Sequence, residues 1–85
     1  MRKYSIRLSQ TVIKKLQKLP FQIEEKLIDA IQLLELNPRP VGCKKLKGRD
    51  GYRIRVGDYR IIYKIEDHIL VVLVIDLGHR KDIYH

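Results

Sequence analysis

Gly51-Tyr52-Arg53-Ile54-Arg55-Val56-Gly57-Asp58-Tyr59-Arg60-Ile61-Ile62-Tyr63 decides the fold. Two runs rich in β-branched and aromatic residues flank Gly57-Asp58, a two-residue turn with glycine first, as a type II′ hairpin requires. That turn sets the register. Val56 then faces Tyr59, Arg55 faces Arg60, Ile54 faces Ile61 and Arg53 faces Ile62, and directly opposed residues share a face. Tyr52, Ile54, Val56, Tyr59, Ile61 and Tyr63 make one apolar face. Arg53, Arg55 and Arg60 gather on the other, with Arg55 directly across from Arg60. Like charges opposed on neighbouring strands destabilise the pair. A phosphate among them reverses the sign, because a guanidinium binds phosphate oxygens two at a time. The hairpin thus predicts a sheet with one face for a core and the other for an anion.

Downstream, Asp67-His68 is expected to turn the chain into a third strand over Ile69–Leu77. The run Ile69–Ile75 shows no polar alternation, which marks a central strand covered on both faces. Gly78 is expected to break the strand's alternation and let the tail cross the open face. Arg80 would bring a fourth guanidinium there, and Tyr84 a ring that can stack on a base or supply a phenol. Upstream, residues 38–51 read as a loop carrying Pro38, Pro40, Gly42, Gly48 and Gly51 together with Lys44, Lys45, Lys47 and Arg49.

Two helices precede that loop. Val12, Ile13, Leu16 and Leu19 fall at helical spacing behind a capping Ser9, and Pro20 ends the run. Ile23, Leu27, Ile31 and Leu34 form the stripe of a second helix over Phe21–Leu36, terminated by Asn37-Pro38. Residues 2–8 alternate, with Tyr4, Ile6 and Leu8 on one side, and read as a half-buried strand. The expected fold class is α+β over a single domain, 1–85. An N-terminal strand and an antiparallel helical hairpin come first, then a three-stranded antiparallel meander, with the helices on one face of a mostly antiparallel sheet.

Composition narrows the function classes. The chain has 85 residues, 45% hydrophobic and 33% charged, which excludes a disordered or low-complexity chain. Lys+Arg outnumber Asp+Glu by 18 to 10, a net charge of +8. Residues 39–60 hold eight of those cations against Asp50 and Asp58, net +6, so most of the excess lies in about a quarter of the chain. A focused basic stretch attracts polyanions. The run Ile69–Ile75 is far short of the ~20 residues of a membrane span, and residues 1–7 lack the apolar core of a signal peptide. A cytoplasmic protein with no membrane partner is expected. A single cysteine, Cys43, forbids an intrachain disulfide and a Cys₂His₂ or Cys₄ zinc site, and no metal or cofactor is expected.

The hairpin stretch, together with Pro38-Arg39-Pro40, Lys45-Leu46-Lys47-Gly48 and Gly78-His79-Arg80-Lys81-Asp82-Ile83-Tyr84, resembles the RelE/ParE superfamily of toxin–antitoxin toxins. The resemblance covers essentially the whole chain and implies a RelE-like microbial RNase-type fold. RelE-like members cut messenger RNA in the ribosomal A site without metal. The ribose 2′-hydroxyl attacks the adjacent phosphorus, leaving a 2′,3′-cyclic phosphate. The pattern has two basic residues flanking an apolar one, here Arg53 and Arg55. It has an Arg after Tyr on the next strand, here Arg60, then an Arg after the last strand and a tail Tyr, here Arg80 and Tyr84. These five are the catalytic candidates. Lys44, Lys45, Lys47, Arg49, His79 and Lys81 are the candidate RNA contacts.

One departure matters: the best-known RelE pattern has Lys at the first two positions, and this chain has Arg. A permanently charged guanidinium is a poor general base. Tyr84 is the expected proton acceptor, with His79 and His85 as rivals. The resemblance also implies a cognate RelB-like antitoxin, messenger RNA and ribosomal RNA on the ribosome as partners, and operator DNA only indirectly through the antitoxin. ParE-like members, which poison DNA gyrase, generally lack the full residue set and give the alternative function. A degenerate toxin active only in operator binding with its antitoxin is a third.

Overall fold

The computed structural model describes residues 3–81. Ser5–Leu8 forms strand β1, Gln10–Gln17 helix α1, Phe21–Leu33 helix α2, Lys44–Lys45 the two-residue strand β2, Tyr52–Val56 β3, Tyr59–Glu66 β4 and Val71–His79 β5. The strands make one sheet in the order β1-β5-β4-β3-β2. β1 lies parallel to β5, and the other pairs are antiparallel.

Local chemistry explains most of these boundaries. The Ser9 hydroxyl accepts from the Val12 amide at 3.2 Å, capping α1, and donates to the Ile75 carbonyl at 3.1 Å, which ties the helix start to β5. Gly57 takes φ 60 and Asp58 a negative φ, the signature of a type II′ turn. The hairpin register is the expected one throughout: Arg53 faces Ile62, Ile54 faces Ile61, Arg55 faces Arg60 and Val56 faces Tyr59. α1 packs on β5 and α2 on β3. Val12, Leu16, Leu27, Ile31 and Leu34 from the helical segment bury against Ile54, Ile61, Tyr63, Val72, Val74 and Leu77 from the sheet.

The structure departs from the sequence reading in five places. Helix α2 stops at Leu33, not Leu36, because Leu34, Glu35 and Leu36 bond to carbonyls three residues back, tightening the end into a 3₁₀-like turn ahead of Pro38. The expected loop 38–51 contains β2, in which Lys44 pairs with Arg53 and Lys45 with Tyr52. A short, lysine-bearing edge strand resists pairing with other chains and has no alternation to reveal it. β5 starts at Val71 rather than Ile69. Asp67–Ile69 is a 3₁₀ turn, and Leu70 follows at φ 53, a left-handed conformation unusual for leucine.

Gly78 does not break that strand: it lies inside β5 opposite Arg60. The alternation breaks earlier. Ile62 faces Asp76 and Tyr63 faces Val74, so Ile75 is the extra residue of a β-bulge that brings Leu77 back to the core face. Leu8, expected inside with Tyr4 and Ile6, is exposed at the edge of the sheet.

Candidate functional site

The face of the sheet opposite the helices is built by β3 and β4. Alternation along β3 sends Ile54 into the core and Arg53 and Arg55 to the other side. The hairpin turn then sets Arg60 directly across from Arg55. Among the described residues the ion pairs are Lys15–Asp76 at 2.6 Å and Arg39–Asp67 at 2.9 Å. None of the three arginines has a carboxylate partner in that set. Asp76, which faces Ile62 in the register, is engaged by Lys15 of α1 and by the Leu77 amide.

Two further observations describe the electrostatics of this face. The Arg53 guanidinium is pulled below its ordinary pKa by partial burial first, then by the charges of Arg55 and Arg60. The Nε of Arg60 is buried and makes no hydrogen bond among the described residues. A desolvated donor without an acceptor costs on the order of 1–3 kcal/mol, more when charged. Both features are what an anion seated among the guanidinium groups would relieve.

The segment 44–49 supplies the second wall. Leu46 donates its amide to the Gly51 carbonyl at 3.0 Å, closing a tight loop. Gly51 sits at φ +127, and a Cβ there would lie 3.1 Å from the Tyr63 carbonyl oxygen and 3.2 Å from Leu46 Cδ1. Only glycine lets the loop approach β4 so closely. The result is a cavity of about 430 Å³ whose cations are Lys44, Lys45, Lys47, Arg49, Arg53 and Arg60 and whose apolar lining is Leu46 and Ile62. No carboxylate among the described residues lines it.

The sequence-predicted residues are therefore only partly assembled. Arg53 and Arg60 meet the loop cations Lys44, Lys45, Lys47 and Arg49 in one cavity. Arg55 lies on the same face but is exposed beside it. Arg80 is exposed and donates its amide to the Asp58 carbonyl at 2.8 Å, so the chain after β5 passes the hairpin turn. His79 goes elsewhere. It pairs with Tyr59 and packs edge-on against that ring at 5.5 Å, lining a hollow with Lys15, Lys18 and Leu19 on the helix side. Lys81 is exposed and bonds through its amide to His79 Nδ1 at 3.2 Å. Tyr84, His85 and the expected path of the tail lie outside the described residues.

Sequence reasoning missed a polar clamp at the other end of the sheet. Arg39 holds Asp67 through both Nη atoms, at 3.3 and 2.9 Å, and donates Nε to the Tyr52 hydroxyl at 3.3 Å. Tyr4 donates to Asp67 at 2.7 Å, and the buried Tyr63 donates to the Pro38 carbonyl at 2.8 Å. The Asp67 carboxyl is held below its ordinary range by the Arg39 and Tyr4 hydrogen bonds. This cluster joins the loop after α2 to β1, β3 and the β4–β5 turn. It neutralises Arg39, which charge counting alone had placed in the basic stretch.

The model of the ParE toxin of type II toxin–antitoxin systems (parDE) matches residues 6–84. The chain belongs to this family. Toxin RelG of Mycobacterium tuberculosis is 32% identical over 83 residues, covering 95% of each chain. Among solved structures, the toxin matches the archaeal RelE–RelB complex from Pyrococcus horikoshii with a TM-score of 0.83 and 31% identity, covering 95% of this chain and 99% of that one. It matches the RelBE2 toxin–antitoxin complex of M. tuberculosis with a TM-score of 0.84 and 28% identity, covering 94% of both. The fold is that of RelE-like toxins, and the toxin is one of a type II toxin–antitoxin system of the RelE/ParE family.

Proposed function

We propose that this toxin is a ribosome-dependent, metal-independent endoribonuclease that cleaves messenger RNA in the ribosomal A site. The observation that carries the reading is the convergence of Arg53, Arg55 and Arg60 on the helix-free face, without a carboxylate partner among the described residues, beside the loop cations. In this mechanism a ribose 2′-hydroxyl gives up its proton and attacks the adjacent phosphorus, the P–O5′ bond breaks, a 2′,3′-cyclic phosphate forms, and the departing 5′-oxygen takes a proton from solvent to leave as a hydroxyl. Arg53, Arg55, Arg60 and Arg80 stabilise the charge that grows on the phosphorane oxygens, often the largest catalytic contribution. They cannot remove the proton. Tyr84 takes that role. His79 is the weaker rival, since its ring packs against Tyr59 on the helix side.

The partners in this reading are messenger RNA and ribosomal RNA in the cytoplasm, and a RelB-like antitoxin that reaches operator DNA on the toxin's behalf. The solved relatives in complex with RelB support the antitoxin as partner. A second reading, a ParE-like inhibitor of DNA gyrase, is favoured by the description of the family model that matches. Inducing the toxin and mapping messenger RNA ends by primer extension separates them. Codon-phased cuts, abolished by Arg60→Ala and by Arg80→Ala, are expected. A DNA-damage response without cuts would support the gyrase reading instead, and toxicity that survives both substitutions would contradict the nuclease.

A further inference from the structure

The basic cavity has an unusual floor. Ile62 lies on the arginine-bearing face, between Arg60 and Lys64 along β4 and opposite Arg53, yet is 1% exposed. The helix-free face of a sheet ordinarily carries polar residues at such positions. Leu46, half-buried on the loop, lines the same cavity, its Cδ1 close to Gly51. These two apolar side chains are framed by cations, and the space between is about 430 Å³, within the roughly 300–1,000 Å³ of small-ligand sites. Phosphate alone needs the cations and gains nothing from the apolar lining. A nucleotide uses both.

We infer that this cavity seats one whole nucleotide of the RNA strand, its phosphate on Arg53 and Arg60 and one face of its base against Leu46 over Ile62. The inference rests on the phosphate-binding reading of the arginine face and adds a specificity-determining residue, Leu46. An apolar side chain against a base face accepts any base and discriminates by the presence of a base rather than by its edge. Arg53 and Arg60 fix where the strand's backbone lies. Leu46 then decides that a base, not only a sugar–phosphate, occupies the neighbouring space.

The test uses the purified full chain and two probes that share one phosphate: ribose 5-phosphate and adenosine 5′-monophosphate. Calorimetry gives the affinities, and methyl chemical shifts of Leu46 and Ile62 report the place. The nucleotide is expected to bind about fivefold tighter or more, from burial of one base face on apolar carbon, and to shift both methyl groups. Leu46→Ser should reduce it to the affinity of ribose 5-phosphate and leave the latter unchanged, with thermal unfolding checking that the variant is folded. Should that variant not fold, the wild-type affinity ratio and methyl shifts decide alone. Equal affinity for the two probes, or tighter nucleotide binding that leaves both methyl groups unmoved, would overturn the nucleotide seat while keeping the anion site. Failure of both probes to bind would overturn the anion reading as well.

Discussion

Arg55 and Arg60 repel one another across β3 and β4, and the Arg60 Nε is buried without a partner among the described residues. The fold carries these features at a cost, so function and stability should trade against each other at these residues. Replacing exposed Arg55 with threonine, a good strand former, removes one of the opposed charges. The gain is a few tenths to about 1 kcal/mol, a rise in Tm of roughly 1–8 °C for a domain this size. RNA affinity should fall in the same variant. Calorimetric melting and an RNA-binding titration on one preparation check both signs, and a variant both less stable and fully active would argue against the reading. Asp67 provides a second residue-scale prediction. Its carboxyl is depressed in the folded protein by Arg39 and Tyr4. The clamp therefore contributes fully above the unfolded-state value of about 3.9 and is lost as pH falls below it through the folded value. Asp67→Asn should lower Tm at neutral pH and leave it nearly unchanged at the acid end, a convergence that melts across pH will show.

Among the elements, the hairpin was the most legible in the sequence. One Gly-Asp turn fixed register, and register placed Arg53, Arg55 and Arg60 on a single face. The edges of the other elements were harder. β2 is two lysines with no periodicity, and it became a strand only because the tight loop from Leu46 to Gly51 folds it back onto β3. The bulge at Ile75 leaves no mark in a continuous apolar run, since every residue there suits either face. The side taken by His79 followed from that bulge and could not be had from alternation alone. The same elements give two tests. Ser9 joins α1 to the bulged strand through both its cap and its bond to Ile75. Ser9→Ala should cost about 1–2 kcal/mol, read from urea unfolding. Gly51→Ala meets both an unfavourable φ and close contacts with Leu46 and the Tyr63 carbonyl. It should destabilise by about 1–3 kcal/mol and displace the loop wall of the cavity, seen as a change in the Leu46 methyl shift.

On the scale of the whole molecule, the sheet separates two environments. The helix side holds the apolar core, and the other side collects much of a net charge of +8. The Arg39–Asp67 clamp and the Lys15–Asp76 pair engage four charged groups with one another, so the cations lining the cavity are the ones left to meet a polyanion. No helix among the described residues is long and apolar enough to cross a membrane. The central claim is that this face binds the backbone of single-stranded RNA. Titrating a short single-stranded oligoribonucleotide into the toxin across a series of salt concentrations measures it most directly. About four phosphate contacts predict a log–log slope of affinity against salt near −3, shallower by about 0.7 when Arg60 is replaced by methionine. Affinity that stays constant across the salt series, or a slope that the Arg60 substitution leaves untouched, would contradict the account.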